Sequence, residues 1–474
     1  MKNALLIFAF LSFYLSSVHA SVEIRSNKLT TGDGLANNSI RYMFQDSKGF
    51  MWMGTVNGLS YYDGNSFVSI YPDPNLPVSL ADPRIRNMEE DSNGFLWIAT
   101  LSSLYSCYDL KHGRFVDFTG CGEYKQSYSK KIIASDQSIW LWDNNNGCRR
   151  VVYQDGQFSS QAYKKELGNL SSDEVLFVYE SNDSPGHVWI GTRQGLWKYH
   201  EGKLEAMDTQ GESWEHIFSY DQYTCIITGK KEIYRHSLSN NRLEKIASLT
   251  ELGDTGVITG SLRLQHQWVM FTATGSYILD PVTGKLRRFS RLNIKNGNVT
   301  RDNKGNAWVH NYTGNVWYVN TSTGDIKPFQ FLSSEHLGYI DVERYSIIHD
   351  SRDIIWITTY GNGLFAYDLN TGGLQHFTFE VSHSSHINSN YLQYIIEDRS
   401  GGIWVSSEFS GLSHLEILNK GTLRIYPNGE DASDRSNTIR MLLRGKNGNV
   451  YMANRMGTLY EYDANLKNIL RREK

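Results

Sequence analysis

A turn containing aspartate and glycine, followed by a tryptophan strand, recurs along this chain at intervals of forty to fifty residues. The first copy places Asp46 and Gly49 in a turn ahead of Trp52. Further copies stand at residues 90–100 and 397–407. A β-rich unit that repeats at such a period is typical of a propeller blade. The pattern therefore predicts an all-β propeller.

Each unit divides into four strand-like pieces joined by short glycine-rich turns, which is the spacing of consecutive β-hairpins. Eight units carry a tryptophan in the second strand: Trp52, Trp97, Trp140, Trp189, Trp268, Trp308, Trp356 and Trp404. Two more units, near residues 223–228 and 448–454, lack it. We therefore predict about ten four-stranded blades.

The number ten constrains how the blades are grouped, because propeller rings usually have four to eight. We therefore predict one seven-blade ring over residues 21–340 and three blades of a second, incomplete ring over residues 341–474. Residues 22–33 resemble an outer strand without its blade. We expect this strand to complete the last blade of a ring and so remove an open sheet edge. The sequence does not indicate which blade it completes.

Residues 1–20 form a predicted signal peptide. A short basic start precedes an apolar run that ends near Val18, and Ala20 supplies a small residue for cleavage before Ser21. The alternative is an uncleaved anchor, but the run is short for a membrane-spanning helix, which needs about 20 residues. Beyond Ala20 the sequence predicts no membrane span.

Charge and cysteine content exclude some classes of protein. The formal net charge is −3 without a basic block, so no nucleic-acid partner is predicted. The four cysteines, Cys107, Cys121, Cys148 and Cys225, have no CxxC spacing, and no zinc site is expected. They could form up to two disulfides, with Cys107 and Cys121 the best-placed pair, or remain buried thiols.

The recurring aspartates could suggest metal binding or catalysis. They are Asp46, Asp91, Asp302, Asp350 and Asp398. Their turns lack the alternating ligands and the terminal glutamate of a calcium loop. Repetition from blade to blade instead favours turn capping by aspartate. We predict no metal site, no cofactor and no catalytic residue.

The unit D-x-x-G-x-[LI]-W-[IV]-G-T-x-x-G-L resembles the two-component regulator propeller repeat. The opening segment, residues 29–40, is similar to the start of the periplasmic sensor region of Bacteroidetes hybrid two-component histidine kinases. In that family two seven-blade propellers precede a β-sandwich, a membrane helix and a kinase. The resemblance implies periplasmic sensing of an oligosaccharide and, through a histidine kinase, regulation of polysaccharide-utilisation genes.

The chain departs from the full family pattern, since it ends at Lys474 in the tenth unit without kinase motifs. We therefore expect no enzymatic activity, and either an incomplete sensor or one that acts through a homodimer or a partner sensor kinase. Two alternatives are a secreted polysaccharide lyase or glycosidase on the same scaffold, and a propeller adhesion module. A glycosidase needs two carboxylates across a cleft.

Ligand contacts are expected in loops where the blades differ, namely the loop leading into each first strand and the hairpin between the second and third strands. Arginine would pair with a carboxylate or sulfate, asparagine with hydroxyls, and an aromatic ring with a sugar face. The candidate ligand-binding residues are Asn57, Arg84, Arg86, Arg193, Tyr360, Asn362, His386, Asn388 and Phe409.

Overall fold

The protein is an all-β chain of four-stranded sheets, as its repeats predict. The computed structural model describes residues 23–119, 128–181, 184–208, 213–221, 224–229, 232–254, 257–302, 305–311, 316–329, 346–380, 386–418, 425–428, 434–464, 466 and 468–474. These residues form ten four-stranded sheets, which confirms the predicted number of units. The predicted signal peptide and Cys121 lie outside the described residues.

Strands follow one another in chain order within each sheet, apart from the first strand, β1 (Glu23–Leu29). Sheet 1 contains β2 (Ile40–Gln45), β3 (Met51–Thr55), β4 (Leu59–Tyr62) and β5 (Phe67–Ile70). Sheet 2 contains β6 (Ile85–Glu90), β7 (Phe95–Thr100), β8 (Tyr105–Asp109) and β9 (Arg114–Val116). Sheet 3 contains β10 (Lys130–Ile133), β11 (Ile139–Trp142), β12 (Cys148–Gln154) and β13 (Gln157–Tyr163).

The next three sheets have the same order of strands. Sheet 4 contains β14 (Val175–Ser181), β15 (Ser184–Thr192), β16 (Gly195–His200) and β17 (Lys203–Asp208). Sheet 5 contains β18 (Trp214–Asp221), β19 (Thr224–Gly229), β20 (Glu232–Ser237) and β21 (Arg242–Ser248). Sheet 6 contains β22 (Gly260–Leu264), β23 (Gln267–Phe271), β24 (Ser276–Leu279) and β25 (Leu286–Arg288).

The last four sheets complete the described chain. Sheet 7 contains β26 (Asn298–Arg301), β27 (Ala307–His310), β28 (Val316–Val319) and β29 (Ile326–Phe329). Sheet 8 contains β30 (Ile347–His349), β31 (Ile354–Thr358), β32 (Leu364–Asp368) and β33 (Leu374–Phe377). Sheet 9 contains β34 (Leu392–Glu397), β35 (Ile403–Ser407) and β36 (Leu412–Leu418), and sheet 10 contains β37 (Ile439–Arg444), β38 (Val450–Asn454), β39 (Leu459–Tyr462) and β40 (Ile469–Glu473).

Short 3-10 helices lie in the connections, at Thr31–Asp33, Leu249–Leu252, Ser290–Leu292 and Arg435–Asn437. Among the described residues, no helix is long and apolar enough to cross a membrane.

Aspartate side chains cap the turn between the first and second strands of several sheets. In sheet 2, Asp91 Oδ1 accepts hydrogen bonds from the backbone nitrogens of Asn93 at 2.9 Å and Phe95 at 3.1 Å. Its second oxygen, Oδ2, accepts from Trp97 Nε1 at 2.8 Å. The structure therefore explains this aspartate as a turn cap that also holds the tryptophan.

The first strand of the chain, β1, completes sheet 9. The strand order of sheet 9 is β1-β36-β35-β34, so β1 supplies its missing fourth strand. This is the strand exchange that the sequence predicts, and the structure identifies the blade. By taking the outermost place, β1 pairs with an edge that would otherwise be open.

Sheet 9 also packs on sheet 1, which closes nine sheets into a ring. Trp404 and Leu412 of sheet 9 share a buried cluster with Ile40 and Met43 of sheet 1. Gly411 N donates to Asn38 O at 2.9 Å. Sheets 1 and 2 are joined by the equivalent bond, in which Gly58 N donates to Pro83 O at 2.7 Å. The same connection therefore joins the ends of the ring and its interior sheets.

The grouping of sheets differs from the predicted seven and three. Residues 26–416 belong to one compact unit that contains sheets 1 to 8 and most of sheet 9, and residues 23–25 and 417–474 belong to a second unit. The predicted boundary between residues 340 and 341 lies outside the described residues. The difference arises because sheet 8 shares its core with sheet 7, through Trp308 and Ile355, and sheet 9 shares its core with sheet 1.

The second unit contains sheet 10. Met452, Tyr460 and Tyr462 form its small buried cluster. Its first strand is largely exposed, and Leu442 retains 67% of its accessible surface. A single sheet with so few buried side chains contributes little apolar burial.

The described cysteines are buried. Cys107 and Cys148 are free thiols, and burial raises the pKa of both. Cys225 lies buried in β19. For Cys107 the structure favours the buried-thiol alternative over a disulfide.

Candidate functional site

The first strand of each sheet lies on the inner side of the nine-sheet ring. β2 contacts both β6 and β34, β14 contacts β18, and β22 contacts β26. Contact between the first strands of successive sheets is the arrangement expected around a propeller axis. Side chains from several sheets can therefore meet in the space that these strands surround.

A cavity of about 720 Å³ opens along four successive first strands, β14, β18, β22 and β26. Its charged lining residues are Arg263 of β22 and Arg301 of β26. Ser261 and Asn298 contribute polar side chains from the same two strands. The volume is within the range of pockets that hold small organic ligands.

The guanidinium of Arg263 is fixed by backbone carbonyls. Its Nη1 donates to Tyr220 O at 2.6 Å and its Nε to Gln265 O at 3.0 Å. The group also lies over the Tyr220 ring, 5.4 Å from the ring centre. These contacts orient the side chain without neutralising its charge, since neither carbonyl carries a negative charge.

Arg301 is the second cation of the cavity. Its side chain is exposed, and it makes no hydrogen bond or ion pair with the described residues. Arg301 ends β26, next to the strand that carries Arg263. The two guanidinium groups therefore line one space with donors that the protein does not use.

Aromatic rings form another part of the wall. Phe218 and Trp268 lie 5.2 Å apart and both line the cavity. Tyr179 lines it from sheet 4 and accepts a hydrogen bond from Ser219 N at 3.2 Å through its hydroxyl. An aromatic wall beside charged donors suits a ligand with both an apolar face and a polar edge.

A second cavity of about 500 Å³ adjoins the first, because Arg263 and Arg301 line both. His266 and Thr321 belong to its other walls. The two cavities extend the site around the arginines toward the turn that follows β22.

The sequence-predicted candidates lie elsewhere on the ring. Asn57, Arg193 and Phe409 occupy hairpins between second and third strands, as do Tyr360 and Asn362. Arg84, His386 and Asn388 lie in segments that lead into first strands, and Arg86 is in β6. None of these nine residues lines the cavity described above. Their role as ligand contacts stays a prediction.

Several of these candidates make contacts that stabilise the fold. Arg84 pairs with Asp82 at 2.9 Å, and Arg193 pairs with Glu174 at 2.7 Å. The hydrogen bond from Arg84 lowers the pKa of Asp82 to about 2. Asn388 Nδ2 donates to the backbone oxygens of Ser410 and Leu412, both at 2.7 Å.

The loop candidates from one sheet join those of the next. Gly361 N, between Tyr360 and Asn362, donates to Asn390 O at 2.8 Å. The rings of Tyr360 and Tyr391 lie 5.2 Å apart. These contacts connect the hairpin of sheet 8 to the segment that leads into β34.

Two candidate residues, Phe409 and Arg86, are exposed to solvent. Phe409 is 69% exposed at the hairpin of sheet 9. Arg86 is the extra residue of a β-bulge, since the register between β6 and β7 shifts between Ile85 and Asn87. Arg41 occupies the same position in sheet 1. Bulges re-aim side chains, and they are frequent next to binding sites.

Sequence reasoning missed Arg263 and Arg301 because it considered loops and not first strands. One signal was present in the distribution of charge. Residues 257–329 contain nine Lys and Arg against three Asp, in a chain whose net charge is −3. Such a local excess of positive charge indicates where an anion would be attracted.

No group of three or more His, Cys, Asp or Glu side chains suited to a metal ion occurs within the described part of the chain.

The comparisons with known proteins agree with the repeats. Residues 34–57 and 79–102 match the family described as Two component regulator propeller, which confirms the resemblance in these two units. No curated protein matches the chain.

Solved structures with similar folds include extracellular domains of two hybrid two component systems from B. thetaiotaomicron. The domain of BT3049 is 16% identical with a TM-score of 0.37, over 95% of this chain and 66% of that one. The domain of BT4673 is 16% identical with a TM-score of 0.39, over 96% of this chain and 60% of that one. The Dos1 propeller is 12% identical with a TM-score of 0.47, over 83% of this chain and 95% of that one. This chain thus spans less than two thirds of either bacterial domain, and scores below 0.5 carry no functional assignment.

Proposed function

We propose that this chain is the ligand-sensing propeller region of a two-component signalling receptor. The observation that carries the proposal is the match of residues 34–57 and 79–102 to the two component regulator propeller family. The ligand in this proposal is an oligosaccharide, sensed in the periplasm. The output is regulation of polysaccharide-utilisation genes through a histidine kinase, reached through a homodimer or a partner sensor kinase.

The geometry of the cavity supports a sensing role. Its walls come from four different sheets, so a ligand that fills the cavity would contact all four. A ligand changes a conformational equilibrium only when it binds one arrangement more tightly than another. A site shared among sheets is suited to this condition, because a movement between sheets would change the distances between the groups that bind.

The cavity does not provide the groups of a glycosidase. No Asp or Glu is among the described residues that line it. Hydrolysis of a glycosidic bond by the usual route needs two carboxyl groups on opposite sides of the bond.

One observation favours a second function, β-elimination on an acidic polysaccharide. Tyr179 and the two arginines line the same cavity. Arginine could neutralise a uronate carboxylate while a base removes the proton from C5. The electrons would form the C4–C5 double bond, and the departing oxygen at C4 would take up a proton to become the new reducing end.

Calorimetric titration of the mature chain against defined oligosaccharides separates the two functions. Saturable binding with recovery of the intact sugar is the result expected of a sensor. New unsaturated ends, detected by their ultraviolet absorbance, would show that the protein is a lyase and would contradict the sensing proposal. New reducing ends without unsaturation would indicate a glycosidase at a different site.

A further inference from the structure

We propose that the cavity between β14, β18, β22 and β26 binds the anionic group of an acidic oligosaccharide through Arg263 and Arg301. The anion is a carboxylate or a sulfate, since a guanidinium recognises the oxygens of both. This inference rests on the proposed function for the sugar nature of the ligand.

The two cavity arginines have no carboxylate partner among the described residues, unlike five other arginines of the ring. Five arginines form ion pairs with carboxylates: Arg84, Arg150, Arg193, Arg235 and Arg352. Among the described residues, Arg263 donates to two carbonyl oxygens and lies over the Tyr220 ring, and the Arg301 side chain has no hydrogen-bond or ion-pair partner. Uncompensated cations that line a concave space attract an anion more strongly than paired ones.

Arg263 is held in position before a ligand arrives. Its Nε and Nη1 are used by Gln265 O and Tyr220 O, and its plane is supported by the Tyr220 ring. These bonds leave Nη2 without a partner among the described residues. Fixing a side chain in advance reduces the entropy that binding costs.

The charge of the surroundings favours an anion. Negative side chains are absent from the described lining of both cavities that contain the arginines. The segment around them carries an excess of basic residues, as shown above for residues 257–329. No carboxylate of the described lining would therefore have to be displaced or neutralised when an anion binds.

The remaining wall suits the sugar that carries the anion. Ser261 and Asn298 make no side-chain hydrogen bond with the described residues, so their polar atoms can reach sugar hydroxyls. Phe218 presents a partly buried ring at the same wall. Convergent polar donors beside an aromatic face are the usual composition of a small-molecule site.

The test uses calorimetry on the mature full chain with tetragalacturonate, sulfated maltotetraose and unmodified maltotetraose. We expect an acidic probe to bind at least tenfold more tightly than unmodified maltotetraose, and more weakly as salt is raised. The acidic probe that binds identifies carboxylate or sulfate as the source of the anion.

The variant Arg301→Gln should weaken binding of that probe about tenfold or more, because a charge-assisted bond is lost. The matched control is Arg287→Gln, which removes an exposed charge in β25 outside the cavity. Since the Arg301 side chain makes no hydrogen bond or ion pair with the described residues, its replacement should leave the melting temperature unchanged, and an unchanged melting temperature shows that the variant folds.

Two outcomes overturn the anion site: equal affinity for acidic and neutral probes, or the same affinity in Arg301→Gln and the parent chain. If acidic and unmodified probes bind equally and measurably, the anion site is refuted and oligosaccharide sensing is left in place. Cleavage of a probe would refute sensing, and dependence of that cleavage on Arg301 would still support the anion site.

Discussion

Trp52 Nε1 donates a hydrogen bond to Asp46 Oδ2 at 2.7 Å, and both residues are almost fully buried. The other oxygen, Asp46 Oδ1, accepts from the backbone nitrogens of Lys48 and Phe50 at 2.9 Å. One carboxylate thus fixes the turn and the tryptophan that packs between sheets. The same bond from tryptophan to aspartate occurs at Asp91, Asp302, Asp350 and Asp398.

We expect Asp46→Ala to lower the free energy of unfolding by about 2 kcal/mol or more, since it leaves the Trp52 indole nitrogen buried without an acceptor. Urea denaturation monitored by tryptophan fluorescence measures the change. The control is Asp63→Ala, which removes a cap from an exposed turn and should cost less. Equal losses in the two variants would show that the buried indole bond adds nothing to turn capping.

Gly411 should be intolerant of a side chain because β1 lies against it. It has φ of 79°, and an added Cβ would come within 2.2 Å of Leu29 O. We expect Gly411→Ala to destabilise the protein and to increase hydrogen exchange in β1. Gly94→Ala is the matched control, since Gly94 has φ of 82° with nothing within 4 Å of an added Cβ.

Both substitutions place an alanine in a left-handed backbone conformation, which destabilises both variants. The difference between their losses of stability therefore measures the clash with Leu29 O. Equal destabilisation, with unchanged exchange in β1, would contradict the placement of β1 in sheet 9.

The sequence predicts the units of this fold better than their grouping. Strand, turn and tryptophan positions follow from local chemistry, and all ten units form sheets. Some units depart from the consensus repeat because they lack this aspartate. The indole nitrogens of Trp140 and Trp268 accordingly have no hydrogen-bond partner in the described structure. Ring size depends instead on long-range pairing, here β1 with β36, which no local pattern encodes.

The candidate site could be predicted only in part. Loop position identified residues such as Arg84 and Arg193, but it could not show that each already pairs with a nearby carboxylate. Arg263 and Arg301 lie in first strands, where alternation of polar and apolar residues reads as ordinary sheet structure. Their shared cavity depends on the packing of four sheets, and packing is not visible in the sequence.

Two fragments test the size of the ring. We expect residues 21–416 to unfold in one cooperative transition, because they retain the cluster formed by Trp404, Leu412 and sheet 1. Residues 21–340 lose these side chains and should melt at a lower temperature and be cut faster by protease. Circular dichroism and limited proteolysis measure both properties. Equal melting temperatures would instead favour the seven-blade ring that the number of repeats predicts.

Buried histidines should make stability depend on pH. Burial, assisted by the charge of Lys198, lowers the pKa of His236 to about 4, and burial lowers that of His310 to about 4. An unfolded histidine has a pKa near 6.5, so the unfolded chain takes up protons first as the pH falls. The stabilisation is therefore complete above about pH 6.5 and is lost as the pH falls toward 4, at most about 3 kcal/mol for each histidine.

His236→Gln should accordingly flatten the pH dependence of the free energy of unfolding between pH 7 and 4.5. Urea denaturation at several pH values measures it, and comparison with the parent chain cancels the titration of carboxylates common to both. His266→Gln is the control, because His266 is exposed. If His236→Gln and the parent chain lose stability in parallel over this range, His236 takes up its proton equally well in the folded and unfolded states, and its burial does not disfavour the charged form.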